Sequence, residues 1–166
     1  MNIRTKDNLV VIVAGIGMLL STLDTGIINV ALPFFKSYFE TTADIAAIAV
    51  TGYTISLAVF ILPFGLLSDK FGKLSFSYIG LIIFGLSSLL CGLSANVQML
   101  IMFRIFQGIG AAALQATSAS LITTLVSAEK SSSAIGVLGI MIGVGPVLGP
   151  SLGGLLLSLN SWRGIF

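Results

Sequence analysis

The stretch "GLLSDKFGK", Gly65–Lys73, decides how this chain must be read. Three charged side chains and two glycines fall within nine residues. An apolar run lies on either side, each long enough to cross a bilayer, since a span needs about 20 residues to pass roughly 30 Å of hydrocarbon. The stretch therefore reads as a polar turn between two membrane spans. The same pattern extends outward in both directions. Apolar runs occupy Leu9–Phe34, Ile45–Leu67, Leu74–Leu93, Val97–Val126 and Ala134–Leu159. They are too long for membrane strands and lack period-two alternation. A backbone in lipid must satisfy its own hydrogen bonds, so the runs are predicted to be helices of an all-α integral membrane fold.

Composition supports this reading. Of 166 residues, 56% are hydrophobic and 8% charged, against roughly 25% charged in soluble domains. So few charges cannot cover a water-exposed surface, and the lipid bilayer is the expected partner. There is no His, and Cys91 is the single cysteine. An intrachain disulfide and a cysteine-rich metal site are excluded, and no metal is predicted. Lys and Arg do not cluster as phosphate binding requires, so no nucleic-acid partner is expected. No nucleophile is paired with a base, which argues against an enzyme. Arg4 and Lys6 before "LVVIVAGIGMLL" resemble the start of a signal peptide, but the apolar run continues through Asp24 with no small-residue cleavage site, as a first span does.

Charge asymmetry sets the orientation. A cytoplasmic N-terminus places Arg4, Lys6, Lys70, Lys73 and Lys130 inside, and leaves Lys36 and Arg163 outside. "GLLSDKFGK" and "SAEKSSS", Ser127–Ser133, are then cytoplasmic loops. "SAN", Ser94–Asn96, is a tight hairpin on the other side, and the C-terminus lies outside.

Two ionisable residues fall inside the spans: Asp24 in the first and Arg104 in the fourth. Each costs on the order of 2.5–3.5 kcal/mol at the bilayer centre on insertion scales. Such residues mark transport pathways or form structural ion pairs, and an Arg also snorkels to the interface. The sequence does not say whether the two meet. Arg104, Gln107, Ala111, Gln115 and Ser118 share one helical face that either lines a polar cavity or bonds to neighbouring helices. Ser21, Thr22, Thr25 and Asn29 add hydrogen-bonding capacity around Asp24. The fifth span carries glycine at 136, 139, 143, 145, 149, 153 and 154, with Pro146 and Pro150. Small residues four apart permit close helix approach, in a sliding or a static contact, and the prolines predict a bend.

Taken together, these motifs resemble the N-terminal part of a major facilitator superfamily transporter, most of all the fourteen-span drug:proton antiporter branch. Gly65, Leu67, Asp69, Lys70, Gly72 and Lys73 match the signature between spans two and three, with Leu74 where a further basic residue is common. Asp24, Asn29, Ala31, Leu32 and Pro33 match the first-span motif. Arg104, Gln107, Gly108 and Gly110 match the fourth, with Ala116 where Pro is frequent. Gly145, Gly149, Pro150, Gly153 and Gly154 match the fifth-span antiporter motif. Ile48 stands where this branch often has Trp before Tyr53, and "SWRGIF" resembles the entrance to a sixth span.

The resemblance implies a fold and a set of roles. Residues 1–166 would form a partial N-terminal transporter domain: five helices of a six-helix half, with the sixth missing. Asp24, Asn29, Arg104, Gln107 and Gln115 would face a cavity for protons and substrate. Gly65, Asp69, Lys70, Gly72 and Lys73 would gate the cytoplasmic side, although the two lysines also serve topology alone. Gly145, Gly149, Pro150, Gly153 and Gly154 would pack at the interface between transporter halves. A complete transporter would export small amphipathic or cationic compounds, with the proton gradient as energy source and no bound cofactor. Its C-terminal half would be the structural partner of this unit. The alternative is a truncated, non-transporting remnant or a membrane interaction subunit, and the 166-residue chain alone is not expected to transport.

Overall fold

Each apolar run becomes one long helix. The computed structural model describes residues 3–159 and 162–166, with the side chains of residues 3–6, Arg4 and Lys6 among them, outside that description. The helices are α1 (Ile3–Tyr38), α2 (Ala43–Phe71), α3 (Lys73–Gly92), α4 (Val97–Leu125) and α5 (Ala128–Ser158), followed by a 3-10 turn at Trp162–Ile165. All five are long and apolar enough to cross a membrane. Their outer faces are strongly apolar. Leu62 and Leu66 on α2 are each 76% exposed, a surface suited to acyl chains rather than water.

The connections are shorter than the sequence suggests, because helix propensity continues past the hydrocarbon-length runs. "SAEKSSS" is not a loop: α5 begins at Ala128, and Glu129–Ser133 form its first turns. Gly65–Phe71 belong to α2, and Gly72 alone separates α2 from α3. Gly72 has φ +101°, a region that side-chain-bearing residues rarely adopt. Gly65 lies inside the helix with open space beside it, so it is not needed for the turn. α5 continues through Pro146 and Pro150 as one helix. "SWRGIF" becomes the terminal 3-10 turn, with Ser161 outside the described residues. Two helix starts are capped as their sequence predicts. Thr42 accepts from the Ile45 N–H at 3.4 Å, and Asn96 from the Met99 N–H at 2.8 Å.

Packing follows the small residues. α4 is the central helix and contacts α1, α2 and α3, while α5 packs mainly on α1. At Gly108 the α2 backbone at Tyr53 approaches too closely for a Cβ. At Gly110 a Cβ would lie 2.5 Å from the Phe84 N of α3. α4 is thus gripped from two sides at backbone range. The α1–α5 contact is parallel: Gly15 faces Met141, Gly26 faces Gly149 and Ile27 faces Gly153. A Cβ on Gly149 would lie 2.6 Å from the Gly26 Cα. Two apolar clusters close the ends of the bundle. One gathers Val10, Met18, Leu121, Ile122 and Leu138, and the other Ile28, Phe35, Leu100, Leu157 and Trp162.

Glycines on the two faces of α5 should therefore answer differently to substitution. Gly149→Ala is expected to lower stability by about 1–3 kcal/mol through overpacking against α1. Gly143→Ala, with nothing within 4 Å of the added methyl, should be neutral or stabilise by up to about 1 kcal/mol. Thermal unfolding of the two variants in one detergent checks this, and equal effects would refute the assigned faces.

Candidate functional site

The site is built where α1, α2 and α4 meet. α4 presents Arg104 and Gln107 one turn apart on the same face. Across from them α1 presents Asp24, which is 80 residues away from Arg104 in sequence. Arg104 Nη1 donates to Asp24 Oδ2 at 2.6 Å and lies 2.8 Å from Gln107 Oε1. Gln107 Nε2 donates to Asp24 Oδ1 at 3.0 Å. Both carboxylate oxygens are thus occupied, one by a cation and one by an amide. Burial is nearly complete, with 0% exposure of the Arg104 side chain and 10% of Asp24.

A second layer holds the guanidinium in place. Its Nε donates to the Ala49 carbonyl at 3.4 Å, and its carbon lies 4.2 Å from the centre of the Tyr53 ring. A cation over an aromatic face gains electrostatic energy that grows when water is excluded. The Tyr53 hydroxyl donates to the Ser21 carbonyl at 3.1 Å, fixing the ring between α1 and α2. The Cys91 thiol, on α3, donates to Gln107 Oε1 at 3.7 Å. Arg104 Nη2 has no partner among the described residues. Four helices therefore contribute to one polar knot in an apolar interior.

Several expected site residues fall elsewhere. Gln115 joins indirectly, through Nε2 to Ser21 Oγ at 3.2 Å, on the same α1 turn that receives the Tyr53 hydroxyl. Asn29 does not join: it is exposed, and its amide donates to the Thr25 carbonyl of its own helix. The polar face of α4 does not line an open cavity here. Arg104, Gln107, Ala111 and Ser118 are buried, and the Ser118 hydroxyl lies 3.0 Å from the Ala14 carbonyl. The face is spent on contacts with α1, because small residues let the two helices approach.

The charged turn is a separate cluster. Lys73 Nζ lies 3.1 Å from Asp69 Oδ1 and donates to Thr124 Oγ1 at 2.6 Å. The turn is thereby tied to the last turn of α4. Lys70 lies over the Phe71 ring at 5.5 Å. Gly145, Gly149 and Gly153 pack against Thr22, Gly26 and Ile27 of α1, within this unit rather than towards another half. Of the glycines in that motif only Gly154 is open, while Pro150 is exposed. A Cβ on any of the other three would meet the α1 backbone, which is what their absence of side chain serves.

Sequence reading passed over Tyr53, Cys91 and Thr124. Tyr53 carried the clearest signal, since a tyrosine within an apolar span needs a partner for its hydroxyl. Cys91 and Thr124 had none, because their roles depend on which helix lies opposite. Among the described residues no group of His, Cys, Asp and Glu is placed to hold a metal.

Comparison with known proteins adds the following. A family model described as Major Facilitator Superfamily matches residues 14–166. The riboflavin transporter RibZ of Clostridioides difficile is 36% identical over 158 residues, covering 95% of this chain and 35% of that protein. The methylenomycin A resistance protein of Bacillus subtilis is 35% identical, covering 95% and 34%. The multidrug resistance protein Stp of Mycobacterium tuberculosis is 36% identical, covering 95% and 30%. The chain thus spans about a third of the length of these relatives. Among solved structures, an inward-facing, unoccupied bacterial homologue of the human lysosomal transporter Spinster superposes with a TM-score of 0.80 at 22% identity, over 91% of this chain and 32% of that one. That likeness is one of fold.

The knot predicts an asymmetry between single and paired substitutions. Arg104→Ala leaves the Asp24 carboxylate buried without its cation and should cost about 3–5 kcal/mol. Asp24→Leu combined with Arg104→Met removes both charges and should recover most of that loss. Unfolding midpoints of the single and double variants in one detergent test this. A double variant as unstable as Arg104→Ala would refute it.

Proposed function

The chain belongs to the major facilitator superfamily and is a multi-pass membrane protein, and from that premise we propose that its helices form part of a proton-coupled exporter of small amphipathic or cationic compounds. The observation that carries this reading is the buried contact of Asp24 with Arg104 and Gln107. A carboxylate held in the membrane interior by a resident cation is a site for which a proton, the arginine and a cationic substrate compete. Protonation of Asp24 removes its attraction for Arg104. The guanidinium then keeps only the neutral Ala49 carbonyl and Gln107 Oε1 and the Tyr53 ring, so its charge is left unpaired and a rearrangement is favoured. An organic cation reaching the carboxylate would displace the arginine in the same way. The drug-resistance names of two relatives support a small-molecule drug as substrate, and the choice of a cation rests on Asp24 alone.

The remaining roles follow on the same reading. The N-terminus faces the cytoplasm of a cell membrane, so the end carrying Lys70, Lys73 and Lys130 is inside. The Asp69–Lys73–Thr124 cluster is then a cytoplasmic gate element, and the proton gradient supplies the energy. The open faces of α2 and α5 receive a second helical half, consistent with relatives about three times as long. The Asp24 site lies within this unit, so binding is expected of it, while alternating access needs a second half to rock against it.

Binding of tetraphenylphosphonium, a lipophilic cation, to the purified chain tests the reading. Affinity should fall as pH is lowered, because protons occupy the same carboxylate. Asp24→Asn should weaken binding about tenfold or more, since the attraction of a carboxylate for a cation about 6 Å away is roughly 3 kcal/mol at an effective dielectric of about 20, and should abolish the pH dependence. Unchanged binding in Asp24→Asn would overturn the assignment. Orientation is tested separately in a Cys91→Ala background. Glu129→Cys should react with a membrane-impermeant thiol reagent only from the cytoplasm and Glu40→Cys only from outside, and the reverse pattern would invert the topology.

A further inference from the structure

A second buried carboxylate lies far from Asp24 on the same helix. Asp7 is 3% exposed, although it sits near the start of α1. Its Oδ2 accepts from the Ser127 hydroxyl at 2.8 Å and lies 4.0 Å from Lys130 Nζ. Ser127 is the N-cap of α5, yet its side chain makes no capping bond to its own helix. The hydroxyl is turned to Asp7 instead. The usual capping contact is thus replaced by a bond to α1, across 120 residues of sequence.

The parallel arrangement of α1 and α5 brings the second turn of α1, where Asp7 stands, beside the N-terminus of α5. That N-terminus carries roughly half a positive charge, and Lys130 adds a full one, set partly against Glu129 in the same turn. The Asp7 carboxylate attracts both, and its burial makes the interaction less sensitive to salt. Further along, the same two helices are held at Gly26 and Gly149 by backbone contact that needs no charge. Between the two, Val10 and Ala14 pack with Ala134 and Leu138 in one apolar cluster, so the charged contact is the outermost of three holds on this helix pair. Next to the charged end is a cleft of about 420 Å³ whose lining includes Asp7, Asn8, Ile12, Lys130, Ser133 and Val137.

We propose that Asp7 clamps the N-terminus of α5 to α1, and that its release widens this cleft while the glycine contact stays in place. The clamp makes the Gly26–Gly149 contact a pivot: the helices part at the clamped end and remain packed beyond it. Loss of the carboxylate leaves the Ser127 hydroxyl, Lys130 and the α5 N-terminus without their acceptor on α1, so this end is the one free to part. The device rests only on the α1–α5 geometry, and it regulates access at the end of the unit that the transport reading places in the cytoplasm.

The test is a distance measurement by electron spin resonance on the full chain in lipid nanodiscs, in a Cys91→Ala background. Spin labels at Asn8→Cys and Ser133→Cys span the cleft, and labels at Phe34→Cys and Leu155→Cys report the far ends of the same helices. Asp7→Asn should shift the 8–133 distribution to longer distances and leave the 34–155 distribution unmoved. Asp7→Glu should restore the short 8–133 population. Ser127→Ala, which removes one hydrogen bond and keeps the charge, should give a smaller shift and serves if Asp7→Asn does not fold. An unmoved 8–133 distribution in Asp7→Asn overturns the proposal; if that variant does not fold, an unmoved one in Ser127→Ala does so. Movement of both pairs together also overturns it, because it indicates general loosening. None of these readouts depends on cation binding at Asp24, so failure of the clamp and failure of the transport reading are separable.

Discussion

The ion pair between Asp24 and Arg104 is the constraint around which the helices are arranged. Two full charges inside an apolar bundle are tolerated only when paired and hydrogen-bonded. That requirement fixes which faces of α1 and α4 meet, because a rotation of either helix would leave one charge facing hydrocarbon. Gln107 can complete the carboxylate only from one turn along α4. Tyr53 can cover the guanidinium only if α2 lies against both. The polar knot therefore specifies relative rotation among helices whose outer surfaces, mostly apolar, would accept many rotations.

Small residues supply what polar residues cannot, namely distance. Gly108 and Gly110 bring α4 within backbone contact of α2 and α3. Without that approach the side chains of the knot would not reach one another. Gly145, Gly149 and Gly153 do the same for α5 against α1. In lipid there is no hydrophobic force between helices, so close packing and a few polar contacts carry the association. The bundle shows this division of labour, with glycine setting proximity and charge setting register.

Much of this was legible in the sequence. The number of helices and the positions of Asp24 and Arg104 follow from apolar run lengths and the charges that interrupt them. The pairing was not legible, because helix–helix adjacency is a non-local property that one sequence does not encode in its periodicity. For the same reason the α4 polar face read as a cavity wall, with packing as the alternative, whereas Arg104, Gln107 and Ser118 are buried against neighbouring helices. Asn29 sits five residues from Asp24 and is carried to an exposed face by the 3.6-residue turn. Helix ends were misplaced at Ala128 and Phe71 because hydropathy reports where lipid begins, whereas the helix continues until a cap or a Gly72 stops it. Asp7 escaped notice since a carboxylate at a helix start usually faces water.

The separation of Asp24 from Arg104 along the chain also shapes how the protein enters the membrane. They are 80 residues apart in sequence. At a synthesis rate of about 5–20 residues per second, α1 is made roughly 4–16 s before its counter-charge. During that interval α1 must be accepted into the bilayer with an unpaired acidic group. Its Leu, Ile and Val residues, each worth about 0.3–0.6 kcal/mol of insertion near the centre, must outweigh that group by themselves. The composition of the first helix is thus set by the order of synthesis as well as by the finished fold.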